Sequence, residues 1–303
     1  MKRFISLSSS ELFKLNKKEI LEAIALSEGR TLAAETVSNV MPLLNDISNA
    51  ELAASMSANI LILNMFDVEN PKVMGLPQCE ASETIRLLKK LTGRLIGINL
   101  EPASLDGGSE SLWKMTKGRV ANKENALKAK ELGVDFICIT ANPGNNVSNK
   151  AIVKAIKEIR QACEDLILIT GKMHSSGLLK QAGENLVTKE DIKEFIEAGS
   201  DIIMLPAPGT VPGICLEYIH DLICFIHQNE RLVMTSIGTS QEGADSETIK
   251  QIALNCKMAG ADIHHIGDSG YVGVALPQNI MHYSIAIRGV RHTYRAMASS
   301  INR

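Results

Sequence analysis

The chain alternates helical patterns with short apolar runs, and one motif recurs along it. The motif is a helix end, a glycine and then an apolar run that follows an aspartate; its copies are Glu131–Ile139, Glu197–Leu205 and Met258–Ile266. A fourth, degenerate copy runs from Met56 to Leu63. Glycine accepts the left-handed conformation of a helix C-cap. Continuous apolar runs bounded by turn residues favour strands buried on both faces, as in a parallel sheet.

Eight strands and eight intervening helices follow from this pattern. The strands are predicted to begin near Thr31, Ile60, Leu95, Asp135, Leu166, Asp201, Arg231 and Asp262, and the helical patterns cover 48–57, 81–91, 123–132, 148–163, 188–198, 214–228, 246–259 and 278–299. Each strand-to-strand step has the length of one βα unit, and no GxGxxG turn favours a doubly wound sheet. The predicted fold class is therefore α/β, a single (β/α)8 TIM barrel at residues 31–303. Residues 1–30 form an N-terminal helical extension that could close the barrel floor.

Composition narrows the class of protein. With 32 basic and 34 acidic residues among 303, the chain has no general nucleic-acid-binding surface, and we expect no nucleic-acid partner. No apolar run has the length of a membrane span, so we also expect no membrane partner. Six scattered cysteines suit a reducing compartment. These observations predict a cytoplasmic protein, and we further expect a homo-oligomer.

Active sites of TIM barrels lie at the carboxyl ends of the strands, so the candidate residues can be read from the strand ends. Period-two alternation predicts that the polar residues at these ends face the barrel axis. The candidate catalytic residues are Lys172, Glu35, Glu101, His174 and His264, and the candidate substrate-binding amides are Asn64, Asn99 and Asn142.

Three roles are open for Lys172: a Schiff-base nucleophile, a cation that holds an anionic substrate group, or the ion-pair partner of Glu35 or Glu101. His174 stands two residues further along and is a candidate general acid or base. Parity with Asp268 predicts that His264 faces the pocket and that His265 is buried under the helices. The aspartates of the repeat lie at the opposite end of the strands, where they predict structural pairing at the floor.

The loops after strands 7 and 8 are rich in glycine and serine. Backbone N–H groups of such loops can converge on a phosphate. We therefore predict an anion between 237–243 and 267–273, bound by Gly238, Thr239, Ser240, Ser269 and Gly270. Glu242 and Asp268 must point away, or hold a cation, for such a site to work. No certain cofactor is indicated, and a divalent metal held by Asp67, Glu101 and Asp268 is the alternative.

Several longer motifs carry a resemblance. GKMH at 171–174, PAPGTVPG at 206–213, IGTSQE at 237–242, DIHHIGDSGY at 262–271 and the ending RHTYRAMASSINR resemble a bacterial (β/α)8-barrel family. Its members are labelled haloacid-dehalogenase-like hydrolase or phosphoenolpyruvate phosphonomutase. The chain lacks both the DxDx[TV] motif of the first label and the K-[KR]-C-G-H type motif of the second. Its last two loops are similar to those of the ribulose-phosphate-binding barrels, which implies lyase, isomerase or epimerase chemistry.

Three functions are consistent with these observations. The first is a barrel enzyme that acts on a small phosphorylated or carboxylated metabolite, expected to be anionic, by proton transfer or carbon–carbon cleavage next to a carbonyl. The second is a divalent-metal-dependent hydrolase or a phosphoenolpyruvate-type mutase. The third is a non-catalytic barrel that binds a metabolite and regulates a partner. Pairing of the ionisable groups at the mouth with one another would favour the third.

Overall fold

The computed structural model describes residues 1–102, 115–141, 148–173 and 179–303. Within these residues, eight parallel strands form a closed barrel in sequence order, which confirms the predicted (β/α)8 architecture. The strands are β1 Thr31–Val37, β2 Ile60–Asn64, β3 Leu95–Leu100, β4 Phe136–Ala141, β5 Ile167–Lys172, β6 Ile202–Pro206, β7 Leu232–Ile237 and β8 Ile263–Ile266. Each begins within one residue of its predicted start.

Helices follow every strand. They are α3 Asn49–Ser55, α4 Thr84–Thr92, α5 Lys123–Leu132, α6 Asn149–Ala162, α7 Lys189–Ala198, α8 Leu216–Gln228, α9 Ser246–Ala259 and α10 Pro277–Ala298. The predicted caps are present: Ser48 and Thr188 form capping boxes, and Asp245 accepts hydrogen bonds from Glu247 and Thr248. No helix among the described residues is both long and apolar enough to cross a membrane.

The N-terminal segment contributes two helices, α1 Ser9–Leu12 and α2 Lys17–Ala25. Their apolar side chains, among them Leu12, Ile20 and Ile24, form one buried cluster with the residues that fill the barrel interior. These helices therefore cover the floor, which is the end opposite the carboxyl ends of the strands.

The barrel interior and the layer outside it are separate apolar clusters. Interior positions are Ala33, Ile60, Ile62, Leu95, Phe136, Cys138, Ile167, Ile169, Ile202, Met204, Met234 and Ile263. Their alternates, such as Leu61 and Leu168, pack instead against the helices. This division fixes which face of each strand is turned to the barrel axis.

The repeated aspartates have a shared structural role at the floor. Each carboxylate accepts a hydrogen bond from a backbone N–H of the strand before it. Each also pairs with a basic side chain of a helix, which is α4, α6 or α8. The pairs are Asp135 with Ile96 and Lys89, Asp201 with Leu168 and Arg160, and Asp262 with Val233 and His227. Structural pairing was the predicted role.

The degenerate fourth copy keeps the same plan with an amide. Asn59 Oδ1 accepts from the Leu32 N–H at 3.2 Å and from the guanidinium of Arg288 on α10. Arg288 also donates to the backbone oxygens of Arg30 and Ser57. The four copies thus tie helix ends to the barrel floor.

Candidate active site at the barrel mouth

Polar side chains line the interior at the carboxyl end of the barrel. They continue the interior alternation of their strands, as Glu35 follows Ala33 and Asn64 follows Ile62. The set is Glu35, Asn64, Asn99, Thr140, Ser236 and His265. Beneath most of them lie apolar residues of the interior cluster.

His265 is the centre of a hydrogen-bonded chain. Its Nε2 lies 3.1 Å from Glu35 Oε2, and its Nδ1 lies 2.6 Å from the hydroxyl of Ser236. Asn99 donates from its amide to the other oxygen of Glu35. The Glu35 side chain is 14% exposed and that of His265 3%, so Glu35 is the member that a molecule in the mouth would meet.

The chain of bonds fixes how a proton can move. An ionised Glu35 only accepts hydrogen bonds, so the Nε2–H of His265 donates to it. The Nδ1 of His265 then accepts a hydrogen bond from the Ser236 hydroxyl. When the imidazole gains a proton, Nδ1–H donates to the Ser236 oxygen instead. Ser236 therefore accommodates both charge states of His265.

Asp268 follows β8 and extends the cluster. Asn64 donates to Asp268 Oδ2 at 2.8 Å, and the N–H of Met65 donates to Asn64 Oδ1 at 2.8 Å, which fixes the amide. Burial and, secondly, the nearby charge of Glu35 raise the pKa of Asp268 to about 6, against the opposing effects of Asn64 and His265. A carboxyl with this pKa exchanges its proton near neutral pH.

Glu242, in the turn after β7, is the third carboxyl. It is fully buried, and neither carboxyl oxygen has a hydrogen-bond partner within the described part of the chain. A Cβ on Gly267 would lie 2.2 Å from Glu242 Oε1, so the carboxyl rests against the backbone just before Asp268. Burial raises the pKa of Glu242 to about 7, and the charges of Asp268 and Glu35 add to the increase.

The predicted orientation of the two adjacent histidines was wrong. His264 faces the helix layer, where Nε2 lies 3.0 Å from the Gly29 oxygen and Nδ1 3.3 Å from the Tyr283 hydroxyl. Burial lowers the pKa of His264 to about 3. His264 is therefore a neutral structural residue, and His265 is the histidine in the pocket. The parity count from Asp268 failed because Gly267 and Asp268 have already left the strand.

The predicted direction of Lys172 was also wrong. Ile167, Ile169 and Met173 belong to the interior cluster, so Lys172 shares the outward face with Thr170, whose hydroxyl bonds Ser200. Burial lowers the pKa of Lys172, and the charge of Asp191 on α7 opposes that effect. The register therefore sets Lys172 apart from Glu35 and His265, and no role at the barrel axis is assigned to it.

Glu101 and Asp67 each have partners of their own. Glu101 is buried and lies 2.7 Å from Arg119 in an ion pair whose side chains are almost fully enclosed. Asp67 accepts from the N–H groups of Glu69 and Asn70 and closes a local turn. Among the described residues, no group of three or more His, Cys, Asp or Glu side chains is arranged to hold a metal ion, and the predicted set Asp67, Glu101 and Asp268 does not converge.

The two glycine-rich loops contact each other, but their donors are partly engaged. Thr239 donates its hydroxyl to the Thr210 oxygen, and Ser240 adopts a left-handed backbone with φ 75°. Gly270 packs tightly against Ala275, whereas Ser269 is exposed, and Gly238 lies in the other loop, directly after β7. The anion site stays a prediction. It required the Glu242 carboxyl to point away from the loops, and this carboxyl instead packs against Gly267 in the second loop.

Two predicted residues, Asn142 and His174, lie outside the described residues. Sequence reasoning did not place His265 in the pocket and counted Glu242 only as an obstacle to an anion. The pairing of His265 with Ser236 becomes visible in the strand register, where the two are direct neighbours on β7 and β8.

Comparison with known proteins supports the fold and gives a family. A family model described as "Domain of unknown function (DUF7916)" matches residues 5–303. No curated protein matches the chain. Neither the hydrolase label nor the phosphonomutase label therefore gains support.

Solved structures share the barrel at low identity. The carboxyl transferase domain of Rhizobium etli pyruvate carboxylase with 3-hydroxypyruvate has a TM-score of 0.57 and 13% identity, covering 96% of this chain and 52% of that one. Rhizobium etli pyruvate carboxylase with the allosteric activator acetyl coenzyme-A has a TM-score of 0.56 and 15% identity, covering 95% and 27%. Thiamine phosphate pyrophosphorylase from Pyrococcus furiosus has a TM-score of 0.49 and 12% identity, covering 86% and 97%. The chain spans about a quarter to a half of the pyruvate carboxylase chains, and the likeness shows the fold alone.

Proposed function

The chain belongs to the DUF7916 family, and we propose that it is a barrel enzyme that moves a proton next to a carbonyl group of a small metabolite. The observation that carries this proposal is the Glu35–His265–Ser236 chain at the mouth, with Asp268 beside it. Isomerases, epimerases and lyases share this proton-transfer step. The proposal therefore specifies a type of reaction step, which the fold alone does not, and it includes more than one named reaction.

Glu35 is assigned as the base. It is the accessible end of the hydrogen-bonded chain, and Asn99 holds its second oxygen in place. His265 stabilises the ionised Glu35 by donating its Nε2–H to the carboxylate. Once it has taken a proton from the substrate, Glu35 can return that proton to the same or a neighbouring atom of the substrate. Asp268 lies beside this base and interacts with it electrostatically.

The test is deuterium incorporation. The protein is incubated in deuterated water with a panel of small carbonyl compounds that includes pyruvate and 3-hydroxypyruvate, and loss of the C–H signal next to the carbonyl is followed by proton NMR. The wild type should accelerate exchange of at least one compound. Glu35→Gln should lower that rate by roughly 100-fold or more, the usual contribution of a positioned base.

The adjacent histidines give a matched control. His265→Asn should slow exchange strongly, whereas His264→Asn should cost stability and leave the exchange rate of the folded protein near that of the wild type. Wild-type exchange in folded Glu35→Gln would remove the assignment of Glu35. Equal losses in both histidine variants would remove that of His265.

A second candidate is a barrel that binds a metabolite without turnover. It is favoured by the pairing of ionisable groups at the mouth, Glu35 with His265 and Glu101 with Arg119. A compound that stabilises the protein against heat but shows no exchange and no product would support this candidate.

A further inference from the structure

The mouth carries more negative than positive groups among the side chains that contact one another there. Glu35, Asp268 and Glu242 act on one another electrostatically. His265 is the basic group among them: it bonds Glu35 directly, and its charge opposes the increases in the pKa of Asp268 and of Glu242. Asp268 has a raised pKa partly because Glu35 is near. Like charges held this close are unfavourable unless a cation or a proton separates them.

Glu242 provides an independent observation. Its backbone is held firmly, because the amide of Asn279 donates to the oxygens of Glu242 and Ala244 at 2.9 and 2.8 Å. Its carboxyl is fully buried and unpartnered among the described residues, and it points toward the backbone that leads into Asp268. Burying a carboxyl group without a hydrogen bond costs free energy. The fold therefore keeps this carboxyl, whether ionised or protonated, at the expense of stability.

Several donors of the cluster are directed at its own carboxylates. The Asn64 amide donates to Asp268, the Asn99 amide donates to Glu35, and the Nε2 of His265 faces Glu35. The groups that carry charge toward a molecule in the mouth are the carboxylates of Glu35 and Asp268, and an ionised carboxylate only accepts hydrogen bonds. Such a surface complements a donor group and repels a phosphate.

We propose that the substrate carries a primary ammonium group, which binds between Glu35 and Asp268 with the carboxyl of Glu242 behind Gly267. An ammonium has three N–H donors and one positive charge, so it can bond the carboxylates of both Glu35 and Asp268 and relieve their repulsion. An ammonium, unlike a metal ion, does not need three or more ligands around one point. The described residues do not provide such a set of His, Cys, Asp or Glu side chains. The inference rests on the proposed function, because it concerns the same site, and it narrows the substrate to an amino-bearing carbonyl compound.

The test uses an unreactive probe, so that it is independent of exchange activity. The melting temperature is measured against ethanolammonium chloride, with ethylene glycol, tetramethylammonium chloride and sodium chloride at matched concentrations. Only ethanolammonium should raise it progressively, because a ligand of the native state stabilises that state. The apparent Kd should be about fourfold lower at pH 7.5 than at pH 5.5, since Asp268 with a pKa of about 6 is mostly protonated at the lower pH.

Asp268→Asn should raise that Kd by about tenfold, the usual loss for one hydrogen bond to a charged group. Asp165→Asn, the same change at a surface carboxylate 64% exposed, should leave it unchanged. If Asp268→Asn does not fold, Glu35→Gln takes its place. The proposal would be overturned if ethylene glycol or tetramethylammonium stabilised the protein as much as ethanolammonium does. It would also be overturned if inorganic phosphate stabilised the protein and ethanolammonium did not. Failure of binding with exchange intact would refute the ammonium alone, and binding without any exchange would refute the proposed reaction alone.

Discussion

The floor and the mouth of this barrel use the same residue types in opposite ways. At the floor, each carboxylate of the repeat accepts a backbone N–H and pairs with its own cation, as Asp135 does with Ile96 and Lys89. At the mouth, Glu35 bonds the imidazole of His265, and the charges of both act on Asp268 and Glu242. Glu242 has no hydrogen-bond partner among the described residues. Compensated charge at the floor supports the fold, whereas uncompensated charge at the mouth is available for chemistry.

The largest expected effect comes from breaking the floor. Arg288 is 7% exposed and bonds Asn59, Ser284 and two backbone oxygens. Arg288→Met leaves these acceptors buried without their donor, and we expect a loss of about 3–4 kcal/mol in the free energy of unfolding. Denaturant titration measures it. The exposed Arg291→Met on the same helix is the control and should change stability by less than about 0.5 kcal/mol; similar losses in both variants would contradict the role given to Arg288.

A smaller effect should appear at the mouth, and it should depend on pH. The folded-state pKa of Glu242 is raised to about 7, so the stability associated with its neutral form is fully present below the unfolded-state pKa near 4.5 and is lost as pH rises through 7. Between pH 5.5 and 8.5, wild type should therefore lose about 2 kcal/mol relative to Glu242→Gln, which does not titrate.

The measurement is the free energy of unfolding of both proteins at both pH values. Using the difference between two pH values removes the constant cost of burying either an acid or an amide. A parallel decline of the two proteins would show that Glu242 is already ionised at pH 5.5.

The smallest effect again concerns the floor. The bond to Asp262 raises the pKa of His227, so its contribution is fully present below the unfolded-state pKa near 6.5 and is lost as pH rises through the folded-state value. The His227 side chain is 41% exposed, so we expect His227→Gln to cost only about 0.5 kcal/mol at pH 5.5 and nothing at pH 8.5. Lys89→Gln, at the equivalent position, should cost the same at both pH values. A pH-independent loss in His227→Gln would show that the charge of the pair contributes nothing.

The elements of the fold were predictable because their signals are local. Glycine after a helix, a capping residue before one and an apolar run between them locate each βα unit to within a residue or two, as at Thr188 and Gly199 around α7. The structural role of the repeated aspartates was also predictable, since their position before the strands places them at the floor.

The faces of the strands were not predictable in the same way. In β5 both sets of alternate positions are buried and mostly apolar, so hydrophobicity does not distinguish the interior Ile169 from the outward Leu168. Lys172 was consequently assigned to the wrong face. His264 was assigned to the wrong face because its parity was counted from Asp268, which lies beyond the end of β8. The hydrogen-bond register of neighbouring strands decides the question, and it depends on contacts far apart in the sequence.

The contacts of Arg288 also impose an order on the assembly of the chain during translation. Its guanidinium joins α10 to Arg30, Ser57 and Asn59, which are more than 200 positions earlier. Since a ribosome adds about 5–20 residues each second, the early βα units spend at least ten seconds outside the exit tunnel before these partners arrive. Over that interval the edges of β1 and of the newest strand lack their neighbours, and unpaired edges are where nascent chains associate wrongly. A barrel completed by its last helix should for this reason depend on chaperones during synthesis more than refolding of the finished chain does.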